Sequence, residues 1–205
     1  VGMIYSLTRG LESLSRNIKN GKWTKHTGGL IAEKKIGIIG CGRIGTQVAK
    51  LLAPTGAEIF GFDPLIKEHT ICKLISFDQL IACSDIISLH IPLTCENVNL
   101  LSEEVLKKTK PGAIIINNSR GGLLDEKTLI KLLKSGHLAG AGLDVFEQEP
   151  YSGPLCNLEN VVLTPHIGSS AGNSRFEMES AAVKNLVEGL TNNVLIYESH
   201  PVQKT

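Results

Sequence analysis

From residue 35 onward the chain alternates short apolar runs with amphipathic stretches. The runs at 36–39, 58–62, 86–89, 113–117, 139–143 and 160–163 hold four or five residues each. Most are rich in isoleucine or valine and lack the one-in-two alternation of a half-solvated strand. They read as strands buried on both faces. The segments between them have helical composition. Residues 46–53 stop before Pro54, and 77–82 follow a capping Ser76. From Ser102 to about Lys108 a helix carries Glu103 and Glu104 in its first turn, as the helix dipole favours. Residues 126–134 follow Asp125 and are stopped by Gly136. A last helix is expected over about 170–190, and 194–197 could add one more strand. Strands alternating with helices predict an α/β fold: a doubly wound parallel sheet with right-handed crossovers.

Ahead of this pattern, Ile4, Leu7, Leu11, Leu14 and Ile18 recur at steps of three and four, which predicts one amphipathic helix over 3–18 ended by Asn20-Gly21. Two readings of its apolar seam stay open: it faces the core, or it packs on another domain or subunit. Residues 22–33 read as a loop in which Trp23 is a packing anchor. The stretch after Asp63-Pro64 reads as irregular, with His69 at the surface.

The first strand leads into Gly40, Gly42 and Gly45, spaced G-x-G-x-x-G, and the helix begins there. In that context each glycine has a task. Gly40 permits a tight turn, Gly42 lets backbone approach a pyrophosphate, and Gly45 lets the helix pack close to the strand. The helix N-terminus offers unpaired N–H groups to the phosphates. The second strand ends at Asp63, about where an acidic residue meets the ribose hydroxyls in such units. Strand, glycines, helix, second strand and carboxylate together point to a dinucleotide site, where a structural glycine turn is the alternative.

Composition narrows the setting. Of 205 residues, 42% are hydrophobic and 20% charged, with a net charge of +1, so no long-range field draws nucleic acid or an anionic membrane. No apolar run approaches the ~20 residues that span a bilayer, and the apolar start is too short for a signal peptide. Five cysteines (41, 72, 83, 95 and 156) form no C-x-x-C pair and no metal-ligand spacing, and read as reduced thiols of a cytoplasmic protein. The chain opens on Val1 inside a helix, so preceding sequence is expected.

In doubly wound sheets ligands bind at the carboxyl ends of strands. Asp63, His90, Arg120, Asp144, Glu149 and His166 all fall there or just beyond. Singly, each has a plain reading: Arg120 in a surface ion pair, Glu149 a solvated loop acid, His166 a buried, hydrogen-bonded imidazole. Beside a dinucleotide fingerprint they read as a site. The stretches GIIGCGRIG at 37–45, FDP at 62–64, HIPLT at 90–94, KPGAIIINNSRGGLLDE at 110–126, GLDVFEQEP at 142–150 and TPHIGS at 164–169 resemble the cofactor domain of the NAD-dependent D-2-hydroxyacid dehydrogenases.

The resemblance covers nearly the whole chain and implies a catalytic trio of Arg120, Glu149 and His166. Hydride would leave C2 of a hydroxy acid for the nicotinamide while His166 takes the hydroxyl proton. Glu149 would fix the imidazole tautomer and favour the imidazolium. Arg120 would grip the substrate carboxylate with its planar fork. Cofactor contacts would come from Gly40, Gly42, Arg43, Ile44, Gly45, Asp63, Pro92, Thr94 and Ser119, with Asp144 near the nicotinamide carboxamide. The implied organisation is an NAD-binding domain over 1–190, with 1–20 as an interdomain or dimerisation helix, and 191–205 returning toward a substrate domain whose leading part is absent. The implied partners are a small 2-hydroxy or 2-keto acid and a second copy in a homodimer. An NAD(H)-sensing module, like the corepressors that resemble this family, is the alternative to an enzyme. The segment between Asp63 and Phe77 looks shorter than in many members, so a different adenine-side wall is expected.

Overall fold

Among the described residues seven strands pair side by side in the order β3-β2-β1-β4-β5-β6-β7, and every pairing is parallel. The computed structural model describes residues 1–192. In chain order the elements are α1 (Gly2–Arg9), α2 (Leu11–Lys19), β1 (Lys35–Ile39), α3 (Arg43–Leu52), β2 (Glu58–Phe62), β3 (Lys73–Leu74), α4 (Phe77–Cys83), β4 (Ile86–Leu89), α5 (Glu103–Lys107), β5 (Ala113–Asn117), α6 (Glu126–Lys134), β6 (Leu138–Leu143), β7 (Val161–Leu163) and α7 (Gly172–Asn192). Because β1 sits beside both β2 and β4, the chain reverses direction of travel across the sheet there. That switch point opens a crevice at the carboxyl ends of β1 and β4.

The strands divide their side chains between two faces with period two. Ile39, Ile87, Leu89 and Ile115 join Leu80 and Ile81 of α4, Leu106 of α5 and Leu129 and Leu133 of α6 in one core. Ile36, Ile38, Ile86, Ile114 and Ile116 join Ile4 of α1 and Ala49 and Leu52 of α3 in the other. The continuous apolar runs follow from this: β4 and β5 are buried at every residue. Local signals place the helices. Ser76 and Gln79 form a reciprocal capping box on α4, while Ser102 and Asp125 accept the N–H groups of Val105 and Thr128. Among the described residues no helix is long and apolar enough to cross a membrane.

Several expectations are corrected. The helix over 3–18 is two helices, broken at Gly10, whose φ of 63° is left-handed and whose N–H caps α1. The seam therefore splits. Ile4 is buried and Leu7 packs on the sheet, whereas Leu11 and Ile18 are more than half exposed. Trp23 is no packing anchor among the described residues, being 82% exposed. The segment after Asp63 contains an edge strand, β3, that pairs with β2. His69 is not a free surface residue: both ring nitrogens are engaged by protein groups. The candidate strand at 194–197 lies outside the described residues.

Compactness divides the chain at His166. The sheet, with the helices on both its faces, lies in Val1–His166. The second unit begins at Ile167 and contains α7, whose Phe176, Val183, Leu186 and Leu190 are exposed.

Candidate active site

The glycine loop is shaped by contacts that only hydrogen side chains allow. Gly40 has φ 94°, and a Cβ there would lie 2.5 Å from the carbonyl oxygen of His90. A Cβ on Gly45 would lie 1.9 Å from the carbonyl oxygen of Gly40, so the first turn of α3 sits directly on the end of β1. Gly42 differs: a Cβ would meet nothing within 4 Å. Its conformation (φ −70°, ψ −160°) is open to any residue, and it offers no side chain to cap α3. The first-turn N–H groups of α3 and the open face of Gly42 thus form a cradle fit for a pyrophosphate. Arg43 and Ile44 project outward from that turn, Ile44 70% exposed.

Asp63 closes the other side of the loop. One oxygen accepts the N–H of Cys41 at 2.9 Å, and the other accepts the N–H of Leu65 at 2.9 Å. Each oxygen keeps a further lone pair for a ribose hydroxyl.

Beyond β4, His90 is turned inward, its Nε2 2.8 Å from Ser88 Oγ, and burial pushes its pKa down to about 4. It is a neutral structural histidine. Asn97 gathers the following loop: its amide donates to the carbonyl of Pro92 at 2.8 Å and its oxygen accepts the N–H of Thr94 at 2.8 Å. Beyond β5, Asn117 folds the turn carrying Ser119 and Arg120, bonding the Ser119 N–H and the Arg120 carbonyl. Ser119 Oγ donates to the carbonyl of Leu89 at 2.8 Å and so laces the ends of β4 and β5 together. The Arg120 guanidinium is exposed and donates to its neighbour's carbonyl at 2.6 Å.

Asp144, at the end of β6, is 1% exposed and accepts the hydroxyl of Thr164 from the end of β7. Two residues past Thr164, His166 adopts a left-handed φ of 53°, uncommon for a residue with a Cβ and a sign of local strain. That turn brings His166 Nδ1 to 2.8 Å from Glu149 Oε2. The other oxygen of Glu149 accepts the N–H of Phe146 at 3.1 Å. The His166 hydrogen bond first, then the Phe146 N–H, hold the Glu149 carboxyl below the ordinary range, and the charge of Arg120 acts in the same direction. The pair borders an open pocket of about 570 Å³ walled by Phe146, Tyr151, Leu163 and Pro165. Phe146 and Tyr151 stack with centroids 4.4 Å apart.

The residues singled out in the sequence thus fall at the carboxyl ends of β1, β2, β4, β5, β6 and β7, on one edge of the sheet. Supporting residues had escaped it. Gly121 is one: a Cβ there would lie 2.0 Å from the backbone of Phe146, so glycine lets the Arg120 turn rest on the segment that leads to Glu149. The glycine pair at 121–122 was the available signal. Ser88, Asn97, Asn117 and Thr164 act through tertiary hydrogen bonds that no local pattern announces.

Known proteins bear on this arrangement. Residues 1–168 match the family described as D-isomer specific 2-hydroxyacid dehydrogenase, NAD binding domain. A glyoxylate reductase of Thermococcus litoralis is 39% identical over 199 residues, covering 90% of this chain and 60% of that protein. The structure of a D-2-hydroxyisocaproate dehydrogenase superposes with a TM-score of 0.91 at 28% identity, over 97% of this chain and 66% of the other. A D-isomer specific 2-hydroxyacid dehydrogenase from Xanthobacter autotrophicus, solved with NADPH and MES, gives 0.84 at 30% identity, over 97% and 84%. The chain spans about 60% of the length of its glyoxylate reductase relative. The chain belongs to the D-isomer specific 2-hydroxyacid dehydrogenase family, carrying its NAD-binding domain.

Proposed function

We propose that the protein containing this chain moves a hydride between NAD(H) and C2 of a small D-2-hydroxy acid or 2-keto acid. The observation that carries the reading is the Glu149–His166 pair, 2.8 Å apart, at the same sheet edge as the glycine cradle. NAD, when bound, supplies the hydride acceptor at its nicotinamide. The chain's own residues handle the rest. Glu149 holds the proton of His166 on Nδ1, which leaves Nε2 as the base that takes the substrate hydroxyl proton and returns it in reduction. Arg120 clamps the substrate carboxylate. Gly40, Gly42, Arg43, Ile44 and Gly45 hold the pyrophosphate, Asp63 the ribose, Pro92, Thr94 and Ser119 the length of the cofactor, and Asp144 the carboxamide.

Asp63 favours NAD over NADP. Its carboxylate would repel a 2′-phosphate, and the Pro64-Leu65 that follows supplies no cation, although Lys67 is near in sequence. We assign residues 1–190 to cofactor binding and 191–205 to a return toward a substrate domain. The exposed Leu11 and Ile18 suit residues 1–20 to an interdomain or homodimer contact. The five free cysteines suit a cytoplasmic setting. Fluorescence titration with NADH and NADPH, followed by steady-state reduction of glyoxylate and hydroxypyruvate, tests the reading. NADH binds more tightly, and His166→Ala lowers turnover ~100- to 10,000-fold while NADH affinity holds. Undiminished turnover in that variant would move the proton-transfer role elsewhere.

A further inference from the structure

His69 lies in the connection from β2 to β3, and its Nδ1 accepts the N–H groups of Ile71 at 3.2 Å and Cys72 at 2.9 Å. A ring nitrogen that accepts in this way carries no proton, so the proton of the neutral imidazole is on Nε2. Nε2 is 2.9 Å from Thr46 Oγ1 and therefore donates to it. The Thr46 hydroxyl in turn donates to the carbonyl of Cys41 at 2.9 Å. The relay has one direction: His69 to Thr46 to Cys41.

Cys41 stands between Gly40 and Gly42, and both peptide groups around it are now fixed. Asp63 takes its N–H, and Thr46 bonds its carbonyl. The Cys41–Gly42 peptide is trans, so the Gly42 N–H points opposite to the Cys41 carbonyl. The carbonyl is turned toward α3, and the N–H is turned away from it. We propose that His69 is a positioning residue for the cofactor: through Thr46 it locks the Cys41–Gly42 peptide with its N–H aimed at the pyrophosphate. The inference rests on the reading that the glycine loop binds a dinucleotide. It also gives the short segment after Asp63 a task, since that segment delivers the histidine. An oriented N–H spares the cofactor the work of ordering the loop, which is where preorganisation raises affinity.

Two conservative variants separate the two ring nitrogens. Asn places its amide oxygen near the position of Nδ1, and Gln places its amide nitrogen near Nε2. His69→Asn should keep the turn at 71–72 and lose Thr46. His69→Gln should keep Thr46. Titration of the 205-residue chain with NADH is expected to show a Kd about three- to tenfold weaker for His69→Asn, the worth of one hydrogen bond, and a Kd near the parent's for His69→Gln. Thr46→Val should weaken binding as much as His69→Asn does, Thr46→Ser should restore it, and Thr46→Val combined with His69→Asn should be no worse than either alone. Should His69→Asn fail to fold, the Thr46 pair decides alone. Parent-like NADH affinity in Thr46→Val, additive losses in the double variant, or equal losses in His69→Asn and His69→Gln would each overturn the relay. A parent chain that binds no NADH would overturn the dinucleotide reading, and the relay with it.

Discussion

Two glycines three residues apart, Gly42 capping α3 and Gly45 in its first turn, should fail in opposite ways when given a methyl group. At Gly42 an added Cβ meets no protein atom within 4 Å, and the backbone is already in a region alanine adopts. Gly42→Ala loses a little as a helix cap and gains a little through a less flexible unfolded chain. The net effect on stability is within about 1 kcal/mol, or a melting shift of at most about 4 °C for a unit of this size. The empty space it fills is the cofactor's approach. Displacing one phosphate oxygen from a charge-assisted hydrogen bond costs ~1.5–3 kcal/mol, a Kd roughly 10- to 150-fold weaker. At Gly45 the added Cβ would sit 1.9 Å from the Gly40 carbonyl and 3.1 Å from Ile38 Cγ2. The carbonyl belongs to a strand end that cannot swing aside like a side-chain tip, so α3 must move. Overpacking of this kind costs ~1–3 kcal/mol, a fall of about 2–12 °C in melting temperature. Thermal melts and NADH titrations on both variants give four numbers. A Gly42→Ala chain that melts like the parent and binds NADH equally well would refute the cradle. A Gly42→Ala chain that melts as low as Gly45→Ala would refute the argument from space.

Other expectations follow from the electrostatics. Burial alone would raise the Asp85 carboxyl, but Lys110 and the Lys35 N–H outweigh it and hold the group below its ordinary range. A carboxyl with a depressed folded pKa contributes stability above its unfolded value, ~3.9, and loses it as pH falls through the folded value. Asp85→Asn should therefore lower the melting temperature at pH 7 and flatten its decline below pH 4; an unchanged acid limb in calorimetry would count against this. Glu149→Gln keeps a hydrogen-bond acceptor beside His166 but removes the carboxylate charge, so turnover should drop while NADH affinity stays put. Asp63→Ala should weaken NADH binding and narrow its margin over NADPH; a margin left intact in paired titrations would take the discrimination away from Asp63.

What the sequence made legible is what the backbone must satisfy locally. Buried parallel strands have to be apolar on both faces, so β4 and β5 announced themselves as unbroken runs. Helix starts need acceptors for orphan N–H groups, so Ser76, Ser102 and Asp125 marked three of them. The failures share another cause. Leu7, Leu11 and Leu14 keep a helical period across Gly10, and only the left-handed φ at that glycine turns the second half away from the core. β3 has two residues, fewer than any periodicity can register, and exists because β2 offers it an edge. His69 looked like a surface residue because its partners lie on another helix and on the turn it closes.

The same distinction runs through the site. Its cofactor side is built almost entirely from backbone: glycines that allow close approach, N–H groups at a helix start, and one carboxylate pinning the loop. Backbone constraints leave a strong mark on sequence, and that half was readable as spacing alone. The substrate side is made of side chains brought together from the ends of β5, β6 and β7. There the decisive facts are the left-handed turn at His166 and the contact of Gly121 with Phe146. Neither has a sequence period, so resemblance supplied what spacing did not. The two halves differ in finish as well. The Asp63 and Cys41 groups are engaged within the chain, whereas the His166 and Glu149 side chains remain 49% and 37% exposed. Water reaches them freely, and a proton-transfer pair works best where water is excluded. In the proposed reaction, closure over this edge would supply that exclusion, and the open pocket beside Phe146 and Tyr151 borders it.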